Sequence, residues 1–273
     1  MPQYVYLDTN AFRYFGHAFE STPLAVDLRG KILVSPLSAF EVFAQLADER
    51  LGEQVLRQVH AIRNWPNPKH SGLLPWPDEW LYQVWHGKAR DAGGFTEKVQ
   101  GAFNMCLAAD SVSSFKQAAA DHRKLMDDFK MGKAQEFKEM VDAARREKVT
   151  VYDMTHDWLG GIARSVGAAP NSKPVDEIVT ALSANREFQQ AKLDVALSER
   201  EYNPLSRKNQ NDIIDAEQLV YLAYPELCMI TADAGFNSKV TKSLQAARII
   251  TASVNDLMNA ATAESVLEHA LGM

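Results

Sequence analysis

The chain has 273 residues, a formal charge of −6, two cysteines and 46% apolar residues, which suits one large domain or two small ones with a substantial core and excludes a disordered chain. No stretch reaches the roughly 18–20 apolar residues of a membrane span, the start MPQYVYLDTN lacks the basic and apolar regions of a signal peptide, and Cys106 and Cys228 are too few for a disulfide scaffold or a Cys-based zinc site, so a soluble, cytoplasmic protein is expected. The acidic balance argues against gripping nucleic acid by bulk charge, but not against carboxylates that hold a metal.

The first predicted element is the β-prone run Tyr4-Val5-Tyr6-Leu7, which ends at Asp8. After the Gly30-Lys31 break, Ile32-Leu33-Val34 is a second run. It leads through Ser35-Pro36 into a helix from about Ser38, with Phe40, Phe43, Ala44 and Ala47 at helical spacing. From about 60 to 200 the pattern changes. Ala, Lys, Glu, Gln and Met dominate, and Val149-Thr150-Val151-Tyr152 alone looks like a strand. Helices are expected over about 78–90, 96–108, 111–130, 133–147, 156–166, 174–183 and 185–200, with breaks that include Gly93-Gly94, Gly132 and Gly160-Gly161. A helix over about 212–224 then precedes a third apolar run, Leu227-Cys228-Met229-Ile230-Thr231. A helix over 236–246 precedes a fourth, Arg248-Ile249-Ile250-Thr251, and a last helix covers 253–270.

Short continuous apolar runs alternating with helices predict an α/β fold with a parallel sheet covered on both faces. Two domains in series would leave each end about two strands, too few for a stable sheet. The ends, 1–58 and 203–273, are therefore read as one discontinuous α/β domain, and 59–202 as an all-α insertion subdomain. The charge follows that division. Residues 1–58 carry five basic and seven acidic side chains, residues 201–273 five and nine, and the stretch between them nineteen of each. The acidic surplus lies wholly in the two ends.

Ligand-binding residues of parallel α/β sheets gather at the carboxyl ends of the strands. Here the first strand ends in Asp8-Thr9-Asn10, and the second leads into a helix carrying Glu41. The third ends in Thr231-Ala232-Asp233, and the helix before it opens with Asn211-Asp212-Ile213-Ile214-Asp215. Four or five carboxylates converging at one edge repel one another unless a cation neutralises them. All-oxygen donors without His favour Mg²⁺ or Mn²⁺ over zinc. Such ions lower the pKa of a bound water, orient it toward a phosphorus and stabilise the leaving oxygen, so the protein needs no nucleophile of its own.

At these residues the chain resembles the PIN-domain family of metal-dependent nucleases. The motifs are Leu7-Asp8-Thr9-Asn10, Ser38-Ala39-Phe40-Glu41, Asp212-Ile213-Ile214-Asp215 and Thr231-Ala232-Asp233-Ala234-Gly235-Phe236. They span about 1–58 and 205–260. The resemblance implies a three-layer α/β/α fold, endo- or exonucleolytic cleavage, most often of RNA, and Mg²⁺ or Mn²⁺ held by the matching acids. Carried over by position, Asp8 is the first-strand ligand supported by Asn10, Glu41 the second acid, and Asp233 the acid after the third strand with Thr231 beside it. Asp215 is favoured as the helix-borne ligand. Asp212, one turn earlier, would cap that helix or bind the ion through water. The insertion between Glu41 and Asp212 is far longer than the two or three helices of compact family members.

Arg207 and Lys208, in a loop before the acidic helix, are candidates for substrate phosphates. Trp65, Trp76, Trp80, Tyr82 and Trp85 could stack on bases, but Trp80 and Trp85 read more simply as core. Two alternatives to a ribonuclease stand beside it: a catalytically silent PIN-fold scaffold for nucleic acid or protein, and, within the nuclease reading, a toxin with an antitoxin partner. A homo-oligomer is compatible with either.

Overall fold

The computed structural model describes residues 2–62, 73–77, 79–80, 83, 95–147, 149–157, 175–199 and 201–273, with backbone alone at 95, 208, 212 and 213. In chain order the elements are β1 (Tyr4–Leu7), α1 (Thr9–Ala18), α2 (Val26–Arg29), β2 (Ile32–Val34), α3 (Pro36–Gln45), α4 (Gly52–Ile62), α5 (Phe95–Ala108) and α6 (Val112–Glu147). There follow α7 (Val175–Ala181), α8 (Ser183–Ser198), α9 (Arg207–Gln218), a 3₁₀ turn (Leu219–Ala223), β3 (Leu227–Thr231), α10 (Gly235–Lys239), β4 (Ile249–Thr251), α11 (Val254–Met258) and α12 (Ala260–Leu271).

The apolar runs at the two ends form one four-stranded, all-parallel sheet in the order β2-β1-β3-β4. Tyr6 pairs in register with Leu33 on one side and Met229 on the other. Alternate side chains enter two separate apolar clusters. Val5, Leu7, Ile32, Val34, Cys228 and Ile230 face one, with Phe12 of α1, Phe43 of α3, Val55 of α4 and Phe103 of α5. Tyr6, Leu33, Leu227, Met229 and Ile249 face the other, with Val179 of α7, Phe188 of α8 and Ala216 of α9. A strand buried on both faces can be continuously apolar, which is why the runs do not alternate. The expected α/β class with a parallel sheet is thus observed.

The stretch 59–202 feeds both clusters: Phe115 and Met126 of α6 join the first, and Ile178 and Phe188 the second. A third cluster, Phe137, Val141, Ala144, Val151, Leu193 and Ala196, lies wholly within that stretch. Among the described residues no helix is long and apolar enough to cross a membrane.

Several element boundaries differ from the sequence expectations. Helices 111–130 and 133–147 are one helix, α6, running through Gly132. A single helical glycine costs only about 1 kcal/mol relative to alanine, and burial of Phe115, Met126 and Phe137 along α6 outweighs it. Val149-Thr150-Val151-Tyr152 is not a strand: a helical segment covers 151–157. Thr150 caps its start, its hydroxyl accepting from the Asp153 amide (3.2 Å) while Asp153 accepts from the Thr150 amide and hydroxyl. The helix expected over 212–224 begins at Arg207 and tightens into the 3₁₀ turn at Leu219. That over 236–246 ends at Lys239. That over 253–270 divides at Asn259, whose side chain accepts from Ala261 and Thr262 and starts α12. Most of 78–90 and 156–166 lies outside the described residues, as do Trp65, Tyr82 and Trp85.

Trp76 and Trp80 are buried. Trp76 packs edge-on to Phe40 and Phe129, and Trp80 against Tyr221 and Tyr224. Both rings belong to the core, not to a base-stacking face.

Close packing of α1 on α4 depends on Gly16. A Cβ there would stand 2.7 Å from the Gln58 carbonyl oxygen and 2.8 Å from its Cβ. Gly16→Ala gains about 1 kcal/mol of helix propensity but must push two helices apart, an overpacking cost of about 1–3 kcal/mol. A net loss of stability is expected as a lower urea midpoint; an unchanged or higher midpoint would contradict this packing.

Candidate functional site

The chain leaves β1 for β2 on one side and returns to β3 on the other. This makes the gap beyond the carboxyl ends of β1 and β3 a topological switch point, the crevice where open α/β sheets bind ligands. Asp8 follows β1 at that gap, and Thr231 ends β3.

Asp8 serves first as the cap of α1, its Oδ1 accepting from the Ala11 amide at 2.6 Å. Its Oδ2 accepts from the Thr231 hydroxyl, also at 2.6 Å. The Thr231 oxygen in turn accepts from the Asp233 amide at 2.9 Å, so one hydroxyl ties the ends of β1 and β3 to each other. Asp233 itself is exposed, and its Oδ1 accepts from the Gly235 amide at 2.6 Å in a turn.

Asp8 is only 6% exposed. Burial raises its carboxyl pKa from the ordinary 3.8 to about 6, the bonds from Thr231 and Ala11 oppose the rise, and the negative charges of Asp233 and Glu41 add to it. Acids from two distant segments, Asp233 after β3 and Glu41 of α3, thus add to the effect of burial on Asp8.

Glu41 reaches the site from α3. The fixed φ of Pro36 suits the first helical position and starts this helix directly after β2. The Thr9 hydroxyl donates to Glu41 Oε2, and Lys130 of α6 forms an ion pair with Oε1 at 2.7 Å. A buried chain of hydrogen bonds holds the segments behind the acids. Gln218 Nε2 donates to Ser38 Oγ (2.9 Å), Ser38 Oγ donates to the Leu7 carbonyl (2.8 Å), and Tyr6 Oη donates to the Gln218 carbonyl (2.9 Å). It ties α9, α3 and β1 together immediately beside Asp8 and Glu41.

α9 reaches α6 and α3 through residues of one stripe. Asn211 Oδ1 accepts from Lys130 Nζ at 2.9 Å, and Gln218 reaches Ser38. Asp215 lies between them at i+4 of Asn211, hence on that stripe. Asp212 sits mid-helix, so it does not cap α9; Ser206 holds the cap position. The Asp212 side chain, like that of Lys208, lies outside the described residues. Arg207 is exposed in the first turn of α9, not in a loop before it. Asn10 is exposed in the first turn of α1, while its neighbour Thr9 makes the link to Glu41.

The donors of Asp8, Glu41, Asp215 and Asp233 are all carboxylate oxygens, the chemistry of Mg²⁺ or Mn²⁺, and a cation would favour the charged form of Asp8 that burial, and to a lesser degree Asp233 and Glu41, disfavour. In donor type and charge the residues fit such an ion. Among the described residues no three His, Cys, Asp or Glu side chains are already disposed around one point for a metal. Thr9 and Lys130 are not evident as site residues from the sequence. Thr9 is part of the Asp-Thr-Asn motif, but Lys130 stands in a long polar helix with no local signal. The two cysteines are free and buried, and burial pushes both thiols up to about 12, the opposite of an activated nucleophile.

Compared with known proteins, the chain matches no family model, no curated protein and no solved structure.

Proposed function

We propose that this protein is a divalent-metal-dependent nuclease of PIN-like type, with RNA as the preferred substrate. The observation that carries the reading is Asp8: a buried carboxyl at the switch point of a parallel sheet, flanked by the charges of Asp233 and Glu41. A structural aspartate gains nothing from two neighbouring acids, whereas a cation-binding one requires them. Bound Mg²⁺ or Mn²⁺ would supply an activated water and charge stabilisation at phosphorus. Asp8 and Asp233 would hold it from the strand ends, Glu41 and Asp215 from the helices. Thr231 fixes Asp8 Oδ2 and Thr9 fixes Glu41 Oε2. Arg207, with Lys208 a candidate for substrate phosphate, is exposed at a helix start whose dipole also favours anions.

The test is to incubate the protein with single-stranded and structured RNA and DNA, with Mn²⁺, with Mg²⁺ and with chelator. Cleavage that needs metal and falls at least about 100-fold in Asp233→Asn is the expected result. Asp233 is exposed, so the variant should fold normally. Undiminished Mn²⁺-dependent cleavage by Asp233→Asn would refute the assignment of this acid.

A scaffold without turnover is the second reading. It is favoured by the ion pair with Lys130, which neutralises an acid that a metal would use. A scaffold of that kind would show no Mn²⁺-dependent rise in melting temperature, whereas a native state that binds the ion must gain stability.

A further inference from the structure

The long helix α6 brings a cation to the acids. Lys130 Nζ lies 2.7 Å from Glu41 Oε1 and 2.9 Å from Asn211 Oδ1, so it bridges α3 and α9. Both side chains of the ion pair are only 17% exposed, which screens them less than a surface pair. Glu41 Oε2 already accepts from Thr9. Both oxygens of this acid are therefore engaged, one of them by a full positive charge. Lysine has three donors and no acceptor. It satisfies a carboxylate as a monovalent ion would, but on a flexible four-carbon stem that can swing away.

We propose that Lys130 is a built-in counter-ion of the acidic site, an autoinhibitory latch that a divalent ion must displace from Glu41. This rests on the metal-site reading above. The latch balances part of the acids' charge in the metal-free protein, and it sets the metal concentration at which the site assembles. Displacement leaves α6 in place, because Phe115 and Met126 anchor it in the core and Lys133 pairs with Glu217 of α9 at 3.4 Å.

The experiment measures Mn²⁺ binding to the full chain by calorimetry and by the shift in melting temperature, at low ionic strength. It compares the parent with Lys130→Met, which keeps the apolar stem, with Lys130→Gln as a second uncharged variant, and with Lys133→Met as a control one turn away. Lys133 pairs with Glu136 and Glu217. Both Lys130 variants should bind Mn²⁺ about tenfold more tightly, and Lys133→Met should change affinity less than about threefold. Unchanged or weaker Mn²⁺ binding by the Lys130 variants overturns the latch while leaving the metal site standing, and so does an equal gain in Lys133→Met. Loss of RNA binding in chelator without a change in Mn²⁺ affinity also overturns it, and makes Lys130 a phosphate ligand. Absence of Mn²⁺ binding in every protein overturns the metal site and the latch together.

Discussion

Asp8→Asn is expected to stabilise the metal-free protein at pH 8 and, on the nuclease reading, to abolish cleavage at the same time. In the folded chain the Asp8 carboxyl titrates at about 6 against an ordinary 3.8, because burial, then Asp233 and Glu41, disfavour its charged form. Below about pH 4 the group is protonated folded or unfolded and contributes no difference. Between about pH 4 and 6 the folded state keeps a proton that the unfolded state releases, so stability falls as pH rises. Above pH 6 the full penalty of an ionised buried acid is present, about 3 kcal/mol for a shift of this size. Asparagine carries no charge at any of these pH values. Its Oδ1 can still accept from Ala11, and its Nδ2 can donate to the Thr231 oxygen. Urea unfolding in chelator should therefore show the variant ahead by about 3 kcal/mol at pH 8, with the gap closing toward pH 4. A variant less stable than the parent at pH 8 would mean that Asp8 is an ordinary helix cap.

Phe115→Ala should cost about 3–5 kcal/mol and move one cooperative unfolding transition as a whole. Phe115 lies in the long stretch between Glu41 and α9, yet it is 2% exposed, in the same cluster as β1 and β2. Its ring meets Phe43 of α3 edge-on at 6.4 Å and His122 at 6.1 Å. α3 also carries Glu41, so the cavity opens under the helix that aims this acid. Thermal and denaturant transitions monitored by tryptophan fluorescence and by circular dichroism should coincide and shift together. Two separate transitions, with one unmoved, would show that the stretch folds apart from the sheet.

The strands are legible in the sequence because a buried parallel strand needs a short unbroken apolar run, and the four runs at the two ends supply it. Asp8 and Asp233 stand out as candidates for a related reason: one follows its apolar run directly and the other after a single residue, where the apolar pattern stops. Helix boundaries are less so. Gly132 and Thr150 carry local signals for a break and a strand, but the packing of α6 overrides the first and the Thr150–Asp153 cap overrides the second. Asp212 reads as a cap only when the start of α9 is placed five residues too late. Lys130 is invisible, because in a helix that also carries Asp127, Asp128 and Lys133 a lysine reads as one more solvated charge. Only tertiary structure puts Glu41 in front of it.

The bond from Thr231 to Asp8 closes a loop of 223 positions, and β1 is flanked on one side by a strand that begins at Leu227. During synthesis the amino-terminal acids emerge early, but their partner strand does not exist. At roughly 5–20 residues per second, translation needs about 10–40 s to deliver it. Throughout that interval the nascent chain holds an unfinished sheet with β1 unpaired on that side. On the nuclease reading, a truncated product ending before Leu227 would be harmless to RNA, and the arrangement of the strands is a safety delay: the protein cannot cut until β3 has been synthesised and has closed the site.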